Sequence, residues 1–188
     1  MSVRFIWFDL GYTLLYNERE KLFDELLKSR GLSRTESEID RAFHIMDKRF
    51  MREYPGLLGQ SAKKFMPLYF GQLCEYLGLD NDLPSFLDLW LKAWKEERLQ
   101  WLAYPFVPGL LEELRRRGVR LGVISNWDPS AKPILAKLGL LDFFETTIIS
   151  SEVGVTKPNK AIFEIALQKT GIKASECLYV GDNYYDDA

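Results

Sequence analysis

The sequence predicts an α/β fold: a doubly wound parallel sheet interrupted by an inserted helical bundle. Three observations lead there. Short apolar and β-branched runs alternate with helical patterns in the second half of the chain, as in a parallel sheet with crossover helices. The stretch 17–103 carries no convincing strand and is punctuated as a succession of helices. Polar, chemistry-bearing residues fall at the carboxyl ends of the strand-like runs, where open parallel sheets bind their ligands.

The first strand is expected at 3–8, "VRFIWF", short and rich in β-branched and aromatic residues. "NEREKLFDELLKSRG" then reads as a helix capped by Asn17, with Leu22, Phe23, Leu26 and Leu27 at helical spacing and a stop at Gly31. "SRTE" has capping-box spacing from Ser33 to Glu36 and predicts the start of a second helix. A third helix is expected from about Ser61 to Gly78 and a fourth from about Pro84 to Trp101. Trp90, Trp94 and Trp101 read as core residues of this bundle. After "YPFVPG" come helix "LLEELRRRG", strand "VRLGVIS" at 119–125, a helix from "DPSA" to Gly139, strand "TTIIS" at 146–150, helix "KPNKAIFEIALQKTG" and strand "CLYVG" at 177–181. The expected domains are therefore a core of 1–16 and 104–188 and a helical insert of 17–103.

Composition narrows the function classes. The chain has 188 residues, 47% of them hydrophobic, with a formal net charge of −2. Neither a nucleic-acid partner nor a membrane surface is expected from that balance. The basic run Arg115–Arg117 sits before Gly118, where cations favour a helix end. Two well-separated cysteines, Cys74 and Cys177, form no metal signature and no disulfide framework, so a cytoplasmic setting is the default. The one histidine, His44, excludes a multi-histidine metal site. No targeting segment is visible.

The strand ends carry Asp9, then Ser125 and Asn126, then Lys157 in a loop before a helix, and finally Gly181–Asp182 with Asp186 and Asp187 following. Each alone has a bland reading: a turn cap, a turn dipeptide, a helix start before Pro158, a solvated acidic loop. Their convergence on one sheet edge favours chemistry. Clustered carboxylates call for a cation, because like charges at short range do not all stay ionised. Oxygen ligands suit Mg²⁺, which shares its shell with water and phosphate. A lysine and a hydroxyl beside such an ion suit the remaining phosphoryl oxygens. Trp127, directly after Ser125–Asn126, is a candidate pocket residue.

On "FDLGYTL" (8–14), "VISN" (123–126), "KPNKAIF" (157–163) and "VGDNYYDD" (180–187), in that order around a helical insert, the chain resembles the haloacid dehalogenase superfamily of aspartate-nucleophile hydrolases, in its helical-cap branch. The resemblance implies a Rossmann-like core under a cap at 17–103. It implies a phosphatase for a small phosphorylated metabolite, with Asp9 as nucleophile forming an aspartyl-phosphate. Ser125 and Lys157 would act in catalysis, and Ser125, Asn126 and Lys157 would bind phosphate. Mg²⁺ would be held by Asp9, the Gly11 carbonyl, Asp182 and Asp187, with Asp186 the alternative to Asp187.

One position departs from the family pattern. Phosphatases of this kind carry a second aspartate two residues after the nucleophile, which protonates the leaving alcohol and then activates water, and here that position is Gly11. Three readings remain: a phosphatase for substrates with good leaving groups or with a proton donor from elsewhere, a dehalogenase-like hydrolase, or a phospho-ligand binder without turnover. The first is favoured, since family dehalogenases use no metal and "GDNYYDD" suits one. In the family, a further strand and a covering helix follow the last motif. The C-terminal part of the core is accordingly expected to be missing after Ala188.

Overall fold

The computed structural model describes residues 3–79, 83–96 and 98–187, with the side chains of residues 83–85 left aside. Its centre is a four-stranded parallel sheet built from β1 (Phe5–Phe8), β4 (Arg120–Ser125), β5 (Thr146–Ile149) and β6 (Cys177–Val180) in the order β5-β4-β1-β6. β1 pairs with β4 from Phe5 opposite Arg120 to Phe8 opposite Val123, and with β6 from Phe5 opposite Cys177 to Phe8 opposite Val180. Those registers bring the ends of three strands level, so Asp9, Ser125 and Gly181 emerge side by side.

β1 is buried along its whole length because successive side chains serve opposite faces. Ile6 and Phe8 pack with Leu121, Val123, Val107, Leu111 and Leu135, under α5 (Val107–Arg116) and α6 (Ala131–Lys137). Phe5 and Trp7 pack with Ile124, Ile148, Ile162 and Ala166, under α8 (Lys160–Thr170). The two remaining core helices are single turns, α7 (Ser150–Val153) and α9 (Tyr184–Asp187).

Between β1 and α5 the chain forms α1 (Arg19–Ser29), α2 (Glu36–Glu53), α3 (Ala62–Tyr76) and α4 (Leu83–Lys95). They share one apolar cluster, in which Phe23, Phe43, Phe70, Phe86 and Trp90 are packed ring against ring, and none of its buried members belongs to the two clusters beside the sheet. A two-stranded antiparallel pair, β2 (Leu15–Tyr16) with β3 (Leu102–Ala103), joins the outgoing and returning chain. It lies at the boundaries expected at 16/17 and 103/104.

Several local expectations shift. Helix α1 begins after Glu18 with no side-chain cap, and Asn17 instead accepts a hydrogen bond from the Tyr12 hydroxyl. The capping box lies two residues later than expected: Thr35 caps α2, its Oγ1 accepting from Glu38 N while the Glu38 carboxylate accepts from Thr35 N. Helix α4 ends at Lys95, which leaves Trp101 outside the bundle, immediately before β3. The stretch 17–103 therefore does contain a short strand residue pair, at its last two positions.

Candidate active site

Asp9 leaves the end of β1 between β4 and β6, its backbone N–H bonded to the Val180 carbonyl. The residue is 9% exposed, and its side chain faces Lys157, Asp182 and Asp187. One carboxylate oxygen from each of Asp9, Asp182 and Asp187 lies within 4.8 Å of the others. Lys157, 1% exposed, is the cation beside two of them: its Nζ is 3.2 Å from Asp9 Oδ1, 2.6 Å from Asp187 Oδ1 and 2.9 Å from the Tyr179 hydroxyl. The Asp9 Oδ1 contact is close enough for attraction yet outside hydrogen-bond geometry, so this buried oxygen has no hydrogen-bond partner.

Three clustered carboxylates, two of them paired with the one ammonium, leave negative charge in excess, and the titration of the groups follows. Burial raises the Asp9 carboxyl above the usual carboxylate range, Lys157 pulls it down, Asp187 pushes it up and the Ser125 hydroxyl lowers it, the balance lying upward. Burial, with Asp9 and Asp187 beside it, pushes Asp182 up to about 6. Burial alone would lower Lys157, but the carboxylates of Asp9 and Asp187 outweigh it and hold the ammonium charged. An orphaned buried carboxylate oxygen, surplus negative charge and an all-oxygen donor set fit a hard divalent cation.

The surroundings explain the local sequence. A Cβ at position 181 would lie 2.0 Å from Asp187 Oδ2, so the turn between β6 and Asp182 requires glycine for α9 to fold back over the site. Asn183 aids that return, its backbone N–H bonding Asp187 Oδ2. Thr13, in the turn after β1, donates to Asp182 at 3.3 Å.

Not every expected residue sits as its type suggested. Asp9, Ser125, Lys157, Asp182 and Asp187 come together. The side chain of Asn126, expected at phosphate, is instead turned to the backbone of Lys157, accepting from its N–H at 2.8 Å and donating to its carbonyl at 3.0 Å. It clamps the lysine loop, and its amide also donates to Asp186. Asp186 is thereby drawn to Asn126, whereas Asp187 joins Asp9 and Asp182. Tyr179 was not foreseen. Its hydroxyl accepts from Lys157 and lies 3.1 Å from Asp187 Oδ1, so it fixes the lysine head group from the sheet side. The alternation in "CLYVGD" was the available signal, since it puts Tyr179 on one face of an edge strand.

Above the carboxylates opens a cavity of about 450 Å³, between the sheet end and the helices α1–α4. Gly11 lies on its wall. A Cβ there would be 3.4 Å from Trp127 and 3.8 Å from Trp101, whose rings pack together at 4.7 Å between centroids. The position that would carry a second aspartate is thus faced by two indoles. Gly59, in the loop between α2 and α3, closes the cavity from the helical side, and its Cα abuts Asn126 so tightly that a Cβ would fall within 2.5 Å. Farther up the wall Arg19 is ion-paired with Asp47, which also accepts from Tyr69 at 2.7 Å. The guanidinium lies over the rings of Tyr12 and Phe43. No described helix is long and apolar enough to cross a membrane.

Residues 3–188 match the family model described as haloacid dehalogenase-like hydrolase. A glyceraldehyde 3-phosphate phosphatase of Pyrococcus abyssi is 31% identical over 98% of this chain and 75% of its own length. An (S)-2-haloacid dehalogenase of Pseudomonas sp. is 33% identical over 60% of this chain and 47% of its own. The first curated relatives are matched over about half to two thirds of their length, 52%, 67% and 47%. Among solved structures, a predicted phosphoglycolate phosphatase of Haemophilus somnus superposes with a TM-score of 0.63 at 21% identity, covering 99% of this chain and 80% of that one. At that identity the likeness concerns the fold.

Proposed function

Because the chain belongs to the haloacid dehalogenase-like hydrolase family, we propose that it is a phosphatase in which Asp9 takes up the phosphoryl group of a small phosphorylated substrate. The observation carrying this reading is the buried Asp9 carboxylate, held beside a fully buried Lys157 and two further carboxylates at the floor of a cavity. Relatives named as glyceraldehyde 3-phosphate phosphatase and phosphoserine phosphatase support it.

In this reading Asp9 attacks phosphorus in line with the leaving oxygen and becomes an aspartyl-phosphate, which water then hydrolyses. Lys157 keeps its charge and faces the transferring oxygens as well as Asp187. The Ser125 hydroxyl and the backbone at Asn126 complete the phosphate cradle, and Asn126 holds Lys157 in position. A divalent cation, Mg²⁺ by family resemblance, would be held by Asp9, the Gly11 carbonyl, Asp182 and Asp187, and would supply the charge neutralisation that lets two anions meet. Residues 17–103 would act as the cap, closing the cavity against water.

Gly11 has no proton to give, and such a group is typically worth ~10²–10⁴-fold in rate. In this reading the substrate is one whose leaving group departs unprotonated, rather than one protonated from elsewhere in the cavity. Hydrolysis of acetyl phosphate against propyl phosphate, with Mg²⁺ and with chelator, tests the reading, with Asp9→Asn as control. Metal-dependent turnover of the first, absent in Asp9→Asn, is the expected result. A dehalogenase-like hydrolase is the second reading, favoured by Gly11 itself. Release of chloride from 2-chloropropionate with no hydrolysis of either phosphate would establish it instead.

A further inference from the structure

Four of the five tryptophans of the chain line the cavity above Asp9, and the cavity's volume lies in the range of small-molecule sites. Two of them, Trp101 and Trp127, stand against Gly11, the position from which a family phosphatase would protonate its leaving group. They are held in place. The Trp127 Nε1–H donates to Ser130 at 3.2 Å, and Trp101 meets the Tyr12 ring edge-on at 5.8 Å. Phe43, Phe65 and Trp90 continue the apolar wall upward, and Trp90 Nε1 is buried with no hydrogen-bond partner. Arg19, a charged group in that wall, is already neutralised by Asp47 and covered by two rings. Polar side chains, Gln60, Gln100 and Lys137 among them, also line the cavity, but the surface beside Gly11 is the indole pair, which suits a flat apolar ring.

Resting on the phosphatase reading, we infer that the cavity takes an aryl phosphate, a phosphate ester of a phenol, with its ring against Trp101 and Trp127. Two independent features converge on this class. The indole pair suits an aromatic ring, and the absence of a proton donor at Gly11 suits a leaving oxygen that needs none. A phenol ionises near pH 10, as tyrosine does, whereas an alkanol resembles water at ~15.7. The bond between Asp9 Oδ and phosphorus forms as the phosphorus–aryl oxygen bond breaks. The electron pair departs on the phenolate, which takes its proton from solvent. Water then attacks phosphorus, the Asp9 oxygen–phosphorus bond breaks, the water proton passes to solvent, and inorganic phosphate and the Asp9 carboxylate are restored.

The test compares kcat/KM for phenyl phosphate, propyl phosphate and acetyl phosphate with Mg²⁺, and binding of phenylphosphonate against methylphosphonate by calorimetry, which needs no turnover. Phenyl phosphate is expected to exceed propyl phosphate by at least about 10²-fold, the lower worth of a missing general acid. Phenylphosphonate is expected to bind the more tightly, and Trp101→Leu or Trp127→Leu to lower the phenyl-to-acetyl ratio about three- to tenfold, the worth of an aromatic contact. Turnover of acetyl phosphate with phenyl phosphate no better than propyl, or phenylphosphonate binding no tighter than methylphosphonate, overturns the inference and leaves the phosphatase reading standing. Hydrolysis of none of the three by folded protein overturns both.

Discussion

At the scale of single residues, the site is a problem in charge and access. Asp9, Ser125, Lys157, Asp182 and Asp187 were legible because each follows a strand-like run or opens the next helix, and parallel strands deliver such residues to one edge. Tyr179 and Trp101 were not. A four-residue strand does not say which of its faces meets the site, and a tryptophan four residues or seven from others reads as helix core until the helix is seen to end at Lys95. The amide of Asn126 was misjudged for a related reason: an asparagine beside a phosphate site serves equally well as a backbone clamp, and residue type alone does not choose. Gly11→Asp tests the account here. A Cβ at 11 makes ordinary contact with the Trp127 ring, so the side chain is admitted if the indoles give way. The expected outcome is a rise in propyl phosphate hydrolysis, bounded by the ~10²–10⁴-fold worth of a general acid, seen as a fall in the phenyl-to-propyl ratio. An unchanged ratio in a folded variant would mean that proton transfer at this position does not limit the rate.

At the scale of elements, the four helices of 17–103 were legible in number, whereas the single turns α7 and α9 and the caps were not. "SRTE" and "TESE" overlap, and both satisfy the capping-box spacing, so only the backbone decides that Thr35 and Glu38 close the box. Thr35→Ala is expected to lower Tm by about 2–4 °C at pH 7. Glu38 is held below its ordinary 4.5 by bonds from the Thr35 backbone and hydroxyl. A depressed carboxylate contributes fully above its unfolded value and loses its contribution as pH falls through the folded one. The Tm difference between the two proteins should accordingly narrow below about pH 4.5, which thermal melts at pH 7 and pH 3 would read. A second element-scale contact, Arg19 of α1 with Asp47 of α2 and Tyr69 of α3, ties three helices beneath the cavity wall. Both charged side chains are only 15% exposed. Asp47→Ala leaves a buried guanidinium without its carboxylate and should cost about 3–5 kcal/mol in urea unfolding. A cost below about 1 kcal/mol would place the pair among exposed ones.

At the scale of the molecule, the parallel sheet and the helical stretch within it were readable from periodicity, while the strand order β5-β4-β1-β6 was not, because alternation reports burial and never neighbours. What the sequence withheld most completely is how the helices meet the sheet end. Gly59 against Asn126 is a close approach made possible by a missing Cβ and invisible in any spacing rule. If residues 17–103 act as a cap, occupation of the cavity is felt on both sides of that contact. Phenylphosphonate with Mg²⁺ is predicted to slow amide hydrogen exchange in 57–60 and in 125–128 together; protection of one segment alone would contradict a cap closing there.

All of this depends on Asp9 being the atom donor to phosphorus. The most direct measurement is peptide mapping by mass spectrometry after acid quench of the Mg²⁺-loaded protein turning over acetyl phosphate. The account predicts a phosphate increment on the peptide containing Asp9, absent in Asp9→Asn and decaying when substrate is exhausted. Sustained phosphate release with no increment on that peptide, or undiminished release by Asp9→Asn, would contradict it.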